Sequence, residues 1–135
     1  MNIRLVLRNL SFLSATLAGL FLPASLWAIH FQEWDALLAL LFSSAICLLV
    51  ALALFAVGKS AAADMFQREA LLLVGSGWIV VTALGALPFW LGGVVGPLDA
   101  YFESTSGFTT TGSTILVDIE AVPKSILFWR SFTHW

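Results

Sequence analysis

Three long stretches without charge limit the possible folds of this chain more than any other feature. They cover residues 9–32, 36–58 and 70–91 and contain no Asp, Glu, Lys or Arg. A transmembrane helix needs about 20 predominantly apolar residues to cross roughly 30 Å of hydrocarbon, and each stretch is long enough. In the whole chain 10% of the residues are charged, against about 25% in soluble domains. The sequence therefore predicts an all-α membrane protein.

The first two stretches predict an N-terminal transmembrane hairpin over residues 1–58. Residues 33–35 form a short acidic turn between them, and Trp27 and Trp34 fit the aromatic belt at one membrane face. Cys47, the single cysteine, lies in the middle of the second stretch. We expect it to be a small apolar core residue.

A signal peptide is the alternative interpretation of the first stretch, since Arg4 and Arg8 precede an apolar run. The run is longer than the apolar region of about 7–15 residues found in signal peptides, and residues 26–28 are a poor cleavage site. We therefore expect a membrane helix, which Pro23 should bend or end in its outer third.

A polar connection over residues 59–69 leads to the third predicted span, residues 70–91. Pro88 and then the glycines at 92 and 93 are expected to weaken and stop this helix. Two interpretations of three earlier glycines stay open. They permit close approach of a neighbouring helix, or they are small residues of the kind common in membrane helices; these are Gly75, Gly77 and Gly85.

The positions of lysine and arginine predict the topology. Arg4 and Arg8 precede the first span, and Lys59 and Arg68 follow the second, so two crossings bring them to the same side. The turn between the two spans has no Lys or Arg. The positive-inside rule then places the N-terminus in the cytoplasm, and the third span should exit outward.

A segment too short to cross the membrane follows the third span. Pro97 suits a helix start, and Leu98 to Phe108 is predicted as a helix of 11 residues, about 16 Å long at about 1.5 Å per residue. Thr109–Thr114 is poor helix material and covers a similar distance if extended. A short helix going in and an extended return predict a re-entrant loop that reaches mid-membrane.

Irregular backbone at this depth is tolerated only inside protein or along a water-filled path, where its carbonyls can replace the hydration shell of a cation. An ordinary extracellular turn is the alternative for residues 109–112. The flanking spans, the half-length helix and the absence of charge between Glu103 and Asp118 favour the cation filter.

A fourth apolar helix is predicted from Lys124 to Trp135, after Pro123. Its 12 residues give about 18 Å, too short to cross. Arg130 lies about two turns inside this helix. Such a charge either faces a partner or a cavity or snorkels to the outer interface, and the sequence leaves both open.

Five motifs together resemble Trk-type potassium uptake proteins. Residues 101–114, with the sequence YFESTSGFTTTGST, resemble the first pore loop of that family. Residues 68–71 (REAL), 85–89 (GALPF), 118–120 (DIE) and 128–133 (FWRSFT) are similar to it as well. The two extra N-terminal spans resemble the TrkH branch of the Trk/Ktr superfamily.

The resemblance implies a pore built from four non-identical, potassium-channel-like helix–pore loop–helix repeats in one polypeptide. This chain would be the N-terminal part of such a subunit. It would hold the hairpin over residues 1–58, a cytoplasmic connection over 59–69, and an incomplete first repeat over 70–135 whose inner helix is truncated.

The resemblance also implies the site residues. The selectivity filter would bind potassium through backbone carbonyls of three residues, namely Thr110, Thr111 and Gly112. Three others would support it, namely Thr109, Ser113 and Glu103. Glu103 is either a buried brace for the loop or a cation-attracting group, and its place within the pore helix favours the brace.

The function implied is potassium uptake across the bacterial inner membrane, with potassium as the transported ion and no other cofactor. The implied partners are membrane lipid, the remaining repeats, a second copy in a homodimer and a cytoplasmic TrkA-type nucleotide-binding regulatory subunit. The alternatives are a sodium-preferring or non-selective cation transporter of the same family and a non-transporting membrane assembly fragment. Too few charges exist for a nucleic-acid surface, and no nucleophile, base and orienting group come together to suggest an enzyme.

Overall fold

The computed structural model describes residues 2–59 and 66–134, which form helices and no strand. In chain order the helices are α1 (Ile3–His30), α2 (Trp34–Gly58), α3 (Gln67–Gly85), α4 (Leu87–Leu91), α5 (Pro97–Phe108) and α6 (Lys124–Phe132). Three helical stretches are long and apolar enough to cross a membrane, namely Ile3–His30, Trp34–Gly58 and Gln67–Leu91. They correspond to the three stretches predicted from the sequence, and the all-α fold class is confirmed.

Helix α1 begins six residues earlier than the charge-free stretch and includes both arginines of the N-terminal segment. Its N-cap is Asn2, whose side-chain oxygen accepts a hydrogen bond from the amide of Leu5 at 3.2 Å. The expectation that Pro23 could end the helix is wrong, because α1 continues to His30. Proline is tolerated in a membrane helix where neighbouring groups satisfy the freed backbone.

Helices α1 and α2 pack as the predicted hairpin, with small side chains in the contact. Gly58 shows how close they come, since a Cβ there would lie 2.7 Å from the backbone nitrogen of Arg8. Ser44 donates a hydrogen bond from its hydroxyl to the carbonyl of Ala18 at 3.0 Å. Cys47 is fully buried in the core, as predicted.

The third span is interrupted earlier than predicted. Helix α3 ends at Gly85, Ala86 forms a turn, and the five-residue helix α4 completes the span. The cause is Pro88, which has no N–H to donate and crowds the carbonyl four residues before it. Phe89 donates instead to Ala86 at 3.1 Å, a tighter i→i−3 bond. Pro88 therefore interrupts the helix before its own position.

Helix α5 is the half-length helix expected before the loop, and it begins one residue earlier, with Pro97 in its first turn and Gly96 as N-cap. It packs against α3 at Gly85, where a Cβ would lie 2.5 Å from Phe108 Cε2 and 2.8 Å from Ser104 Oγ. Gly75 has nothing within 4 Å of such a Cβ, and Gly77 has ordinary contact at 3.5 Å. Of the three glycines, Gly85 alone permits a close helix approach.

Helix α6 packs on the hairpin through aromatic rings. The ring centroids of Trp129 and Phe21 are 4.4 Å apart, and Phe128 stacks on Trp27 at 5.3 Å. Trp129 is fully buried, and its indole N–H donates to the carbonyl of Gly85 at 3.0 Å. The hairpin, α3 and α6 therefore share one core. The predicted cytoplasmic connection falls largely on residues 60–65, outside the described residues.

Gly85→Ala is expected to lower the stability of the full-length protein by about 1–3 kcal/mol, the usual cost of overpacking. The added methyl group would collide with Phe108 and Ser104. Gly75→Ala is the matched control, because it adds a methyl group to the same helix in open space and should be neutral or stabilising by up to about 1 kcal/mol. Thermal unfolding in detergent measures both, and equal effects would contradict the close contact.

Candidate functional site

The segment after α5 turns sharply instead of returning as a regular extended strand. Thr109 and Thr110 form a turn, and irregular backbone follows from Thr111. Thr110 has φ +54° and Gly112 has φ +76°, both in the left-handed region. Glycine adopts such a conformation freely, whereas a β-branched residue rarely does. The predicted extended conformation over 109–114 is therefore wrong for Thr109, Thr110 and Gly112.

The amides of this segment fold back onto the end of α5. Thr110 N–H donates to the carbonyl of Gly107 at 2.8 Å, and the Thr111 and Gly112 amides donate to the carbonyl of Ser106 at 2.9 and 3.5 Å. The carbonyls of residues 110–112 accept no hydrogen bond from any described residue. The three predicted filter residues therefore have occupied donors and free acceptors.

The carbonyl that follows these three is occupied. Ser106 lies within α5, and its hydroxyl donates to the carbonyl of Ser113 at 2.6 Å. At the other end, the Thr109 hydroxyl donates to the carbonyl of Thr105 at 2.7 Å and lies 2.9 Å from the Thr111 hydroxyl. Both predicted support residues, Thr109 and Ser113, are thus tied to α5. Their role in supporting a filter stays a prediction.

Glu103 connects α5 to the returning segment and to α6. Its Oε1 atom accepts from the Thr114 hydroxyl at 2.7 Å and from the Ile115 amide at 2.5 Å. Its Oε2 atom accepts from Arg130 Nε at 2.8 Å. The carboxylate side chain has no exposed surface, so this geometry favours the brace over the cation-attracting group.

The sequence left open whether Arg130 faces a partner or reaches the membrane interface. Arg130 forms an ion pair with Glu103 and keeps 19% of its side chain exposed. The alternative of snorkelling to the interface does not apply, because the Nε atom of Arg130 bonds to Glu103 of α5. In the sequence, this ion pair is indicated only by the two opposite charges, Glu103 and Arg130, that lie within apolar segments.

The role of Glu33, which lies in the turn between α1 and α2, was not predicted from the sequence. Its carboxylate accepts from the amides of Lys124 at 2.7 Å and Ser125 at 2.9 Å, the first residues of α6. Burial acts to raise the pKa of Glu33, but the hydrogen bonds from Ser125 and Lys124 outweigh it and hold the pKa of this carboxyl below its usual range. Glu33 is therefore a charged cap on a distant helix.

Comparison with known proteins gives several relatives, although no family model matches the chain. The Trk system potassium uptake protein TrkH of Halomonas elongata is 30% identical over 139 aligned positions, which cover 100% of this chain and 28% of that protein. TrkH of Escherichia coli strain K12 is 42% identical over 74 residues, 53% of this chain and 15% of that protein. An uncharacterized cation transporter of Methanocaldococcus jannaschii is 46% identical over 59 residues, 43% of this chain and 12% of that protein.

A solved structure has the same fold. The crystal structure of the potassium transporter TrkH from Vibrio parahaemolyticus matches with a TM-score of 0.88 and 27% identity, over 98% of this chain and 29% of that one. The chain thus spans less than a third of the length of these relatives. Its apolar helices define a multi-pass membrane protein, and its fold is that of the transporter it matches. It belongs to the family of TrkH-type potassium uptake proteins.

Ser106→Ala is expected to destabilise the full-length protein by about 1–3 kcal/mol, because the buried hydroxyl would leave the Ser113 carbonyl without its partner. Ser104→Ala is the matched control two residues earlier. Ser104 is also buried, but its hydroxyl has no partner among the described residues, so its loss should be neutral or stabilising. Thermal unfolding of both variants tests the bond, and a Ser104→Ala protein that is the less stable one would contradict it.

Proposed function

We propose that this chain is part of a subunit that carries potassium across the membrane, and that Thr110, Thr111 and Gly112 form one segment of its selectivity filter. The observation that carries the proposal is the direction of their hydrogen bonds. All three amides bond to α5, while the three carbonyls remain free of the described residues. The similarity to proteins named potassium uptake proteins and potassium transporters supports the choice of ion.

The chemistry required of these residues is that of a hydration shell. A dehydrated potassium ion needs several oxygen atoms in place of water, and backbone carbonyls at short spacing provide them. Helix α5 ends at the segment, so the negative end of its dipole lies nearby and favours a cation. Thr109, Ser113 and Glu103 would hold the carbonyls in place through the contacts described above.

One segment does not surround an ion, so the rest of the pore must come from elsewhere. We propose that this chain contributes the N-terminal hairpin over residues 1–58, a cytoplasmic connection over 59–69 and part of a first pore repeat over 70–135. Three further repeats of the longer protein would complete the filter. The bacterial inner membrane, a homodimer and a TrkA-type nucleotide-binding regulatory subunit belong to the same proposal and rest on family resemblance.

Gly112→Ser in the full-length protein is expected to weaken discrimination of potassium over sodium. At φ +76° any residue with a Cβ is strained by about 1–2 kcal/mol, so the backbone should relax and move the carbonyls. The Cβ itself would meet nothing within 4 Å, so a steric collision is not the cause. Competition between potassium and sodium for uptake in a transport-deficient host measures the effect.

Gly93→Ser is the control for backbone strain alone. Gly93 also has positive φ, +67°, and open space around it, but it lies in the loop after α4. Its substitution should leave discrimination unchanged. Unaltered competition in Gly112→Ser with persisting uptake would overturn the filter assignment. Wild-type uptake that prefers sodium would favour the sodium-transporting alternative instead.

We propose further that the N-terminus is cytoplasmic. The amide of Asn2 donates to Glu69 Oε1 at 2.8 Å, and Gly58 lies against Arg4 and Arg8. The start of α1, the end of α2 and the start of α3 therefore meet on one side. Four of the chain's basic residues, Arg4, Arg8, Lys59 and Arg68, belong to these ends, and the positive-inside rule assigns them to the cytoplasm.

Cysteine labelling tests this topology in a Cys47→Ala background of the full-length protein. Val117 is fully exposed and Phe66 is 70% exposed, so a cysteine at either position should be reactive. A membrane-impermeant thiol reagent should label Val117→Cys in intact cells and Phe66→Cys only after permeabilisation. The reverse pattern would show that the orientation is inverted.

A further inference from the structure

The first turn of α6 has no capping side chain of its own. Its N-cap is Pro123, which makes no side-chain hydrogen bond to the helix. The first amides of any helix lack acceptors within the helix, and near the membrane interface they need others. In α6 the acceptor comes from a residue more than 90 positions earlier in the chain.

That acceptor is the carboxylate of Glu33. Its Oε1 atom receives the amide of Lys124 at 2.7 Å, and its Oε2 atom receives the amide of Ser125 at 2.9 Å and the hydroxyl of Ser125 at 2.6 Å. A negative charge at a helix N-terminus also interacts favourably with the helix dipole. Three bonds to one carboxylate fix the start of α6 against the turn of the hairpin.

A second contact at the same place strengthens this connection. Lys124 places its ammonium group 4.3 Å from the centroid of the Phe31 ring. Phe31 is the residue directly after α1, and Phe128, one turn into α6, stacks on Trp27. The hairpin therefore determines both the position of α6 along its axis and its rotation.

The same helix carries the brace of the candidate filter. Arg130 lies six residues after Lys124, about 9 Å along the axis at about 1.5 Å per residue. Arg130 donates a hydrogen bond to Glu103. Glu103 in turn accepts hydrogen bonds from Thr114 and Ile115, which follow the proposed filter residues. A shift of α6 would therefore move Arg130 and lengthen or break its hydrogen bond to Glu103.

We propose that Glu33 is a positioning residue for the filter, which acts by capping α6 and so fixing Arg130 relative to Glu103. The transmembrane hairpin thereby becomes part of the support of the filter. This inference rests on the proposed function, since it takes Thr110–Gly112 as the ion-binding segment.

The test is Glu33→Gln in the full-length protein. Glutamine keeps the size but loses the charge, and only one of its two side-chain terminal groups accepts hydrogen bonds. We expect potassium-over-sodium discrimination to fall by about fivefold, the factor that corresponds to loss of a typical helix cap. Uptake is expressed per molecule of protein in the membrane. Asp35→Asn, an exposed carboxylate in the same turn, should change nothing, and Glu33→Asp should restore part of the discrimination.

A double-mutant cycle tests the route through Arg130. If Glu33 acts through the ion pair, Glu33→Gln should have little further effect in a Glu103→Gln background, because contacting residues are coupled. Fully additive effects would overturn the proposed route. Reduced protein amount with unchanged discrimination per molecule would overturn the proposal itself, since Glu33 would then serve folding alone.

Two less disruptive variants test the proposal if the Glu33→Gln protein fails to reach the membrane. Ser125→Ala removes one of the three bonds to Glu33, and Ser131→Ala is its control at an exposed position of the same helix. Lower discrimination in Ser125→Ala only supports the proposal, and equal discrimination in both overturns it. Gly112→Ser in the same assay separates the two hypotheses. Normal discrimination in that variant refutes the filter assignment, whereas lower discrimination in it together with normal discrimination in Ser125→Ala refutes only the role of Glu33.

Discussion

The ion pair between Glu103 and Arg130 helps to join three parts of this structure at one point. Isolated charges in an apolar interior cost several kcal/mol each, and removing one partner of a buried pair typically costs about 3–5 kcal/mol. Glu103 avoids this penalty because hydrogen bonds from the returning segment and from α6 use both carboxylate oxygens. Helix α5, the segment after it and α6 are therefore connected through one carboxylate.

Within that unit the irregular segment is held in an unfavourable backbone conformation. Thr110 has a β-branched side chain and φ +54°, which costs roughly 1–2 kcal/mol. The amides of Thr110 and Thr111 are bonded to the last carbonyls of α5, and these bonds fix the chain at and just after the strained residue. Strain of this kind persists only where surrounding contacts over-determine it, and here α5 provides them.

The sequence predicted the elements well and their long-range partners poorly. Runs without charge gave the three spans, and Pro97 gave the start of the half-length helix within one residue. The break at Ala86 depended on a local hydrogen-bond rearrangement before Pro88. The partner of Arg130 and the cap provided by Glu33 depended on which helices meet in space, and periodicity and composition carry no information about a contact 91 residues away.

The direction of the hydrogen bonds at residues 110–112 has a consequence for the sign of the ion. An anion binds to proteins through N–H and O–H donors, and all three amides of this stretch are already bonded to α5. Chloride would find no free backbone amide among these three residues, whereas a cation would find three open carbonyl oxygen atoms. If these carbonyls line the ion path, a preference for positive charge would begin with the way the chain leaves its helix, before the size of the ion has any influence.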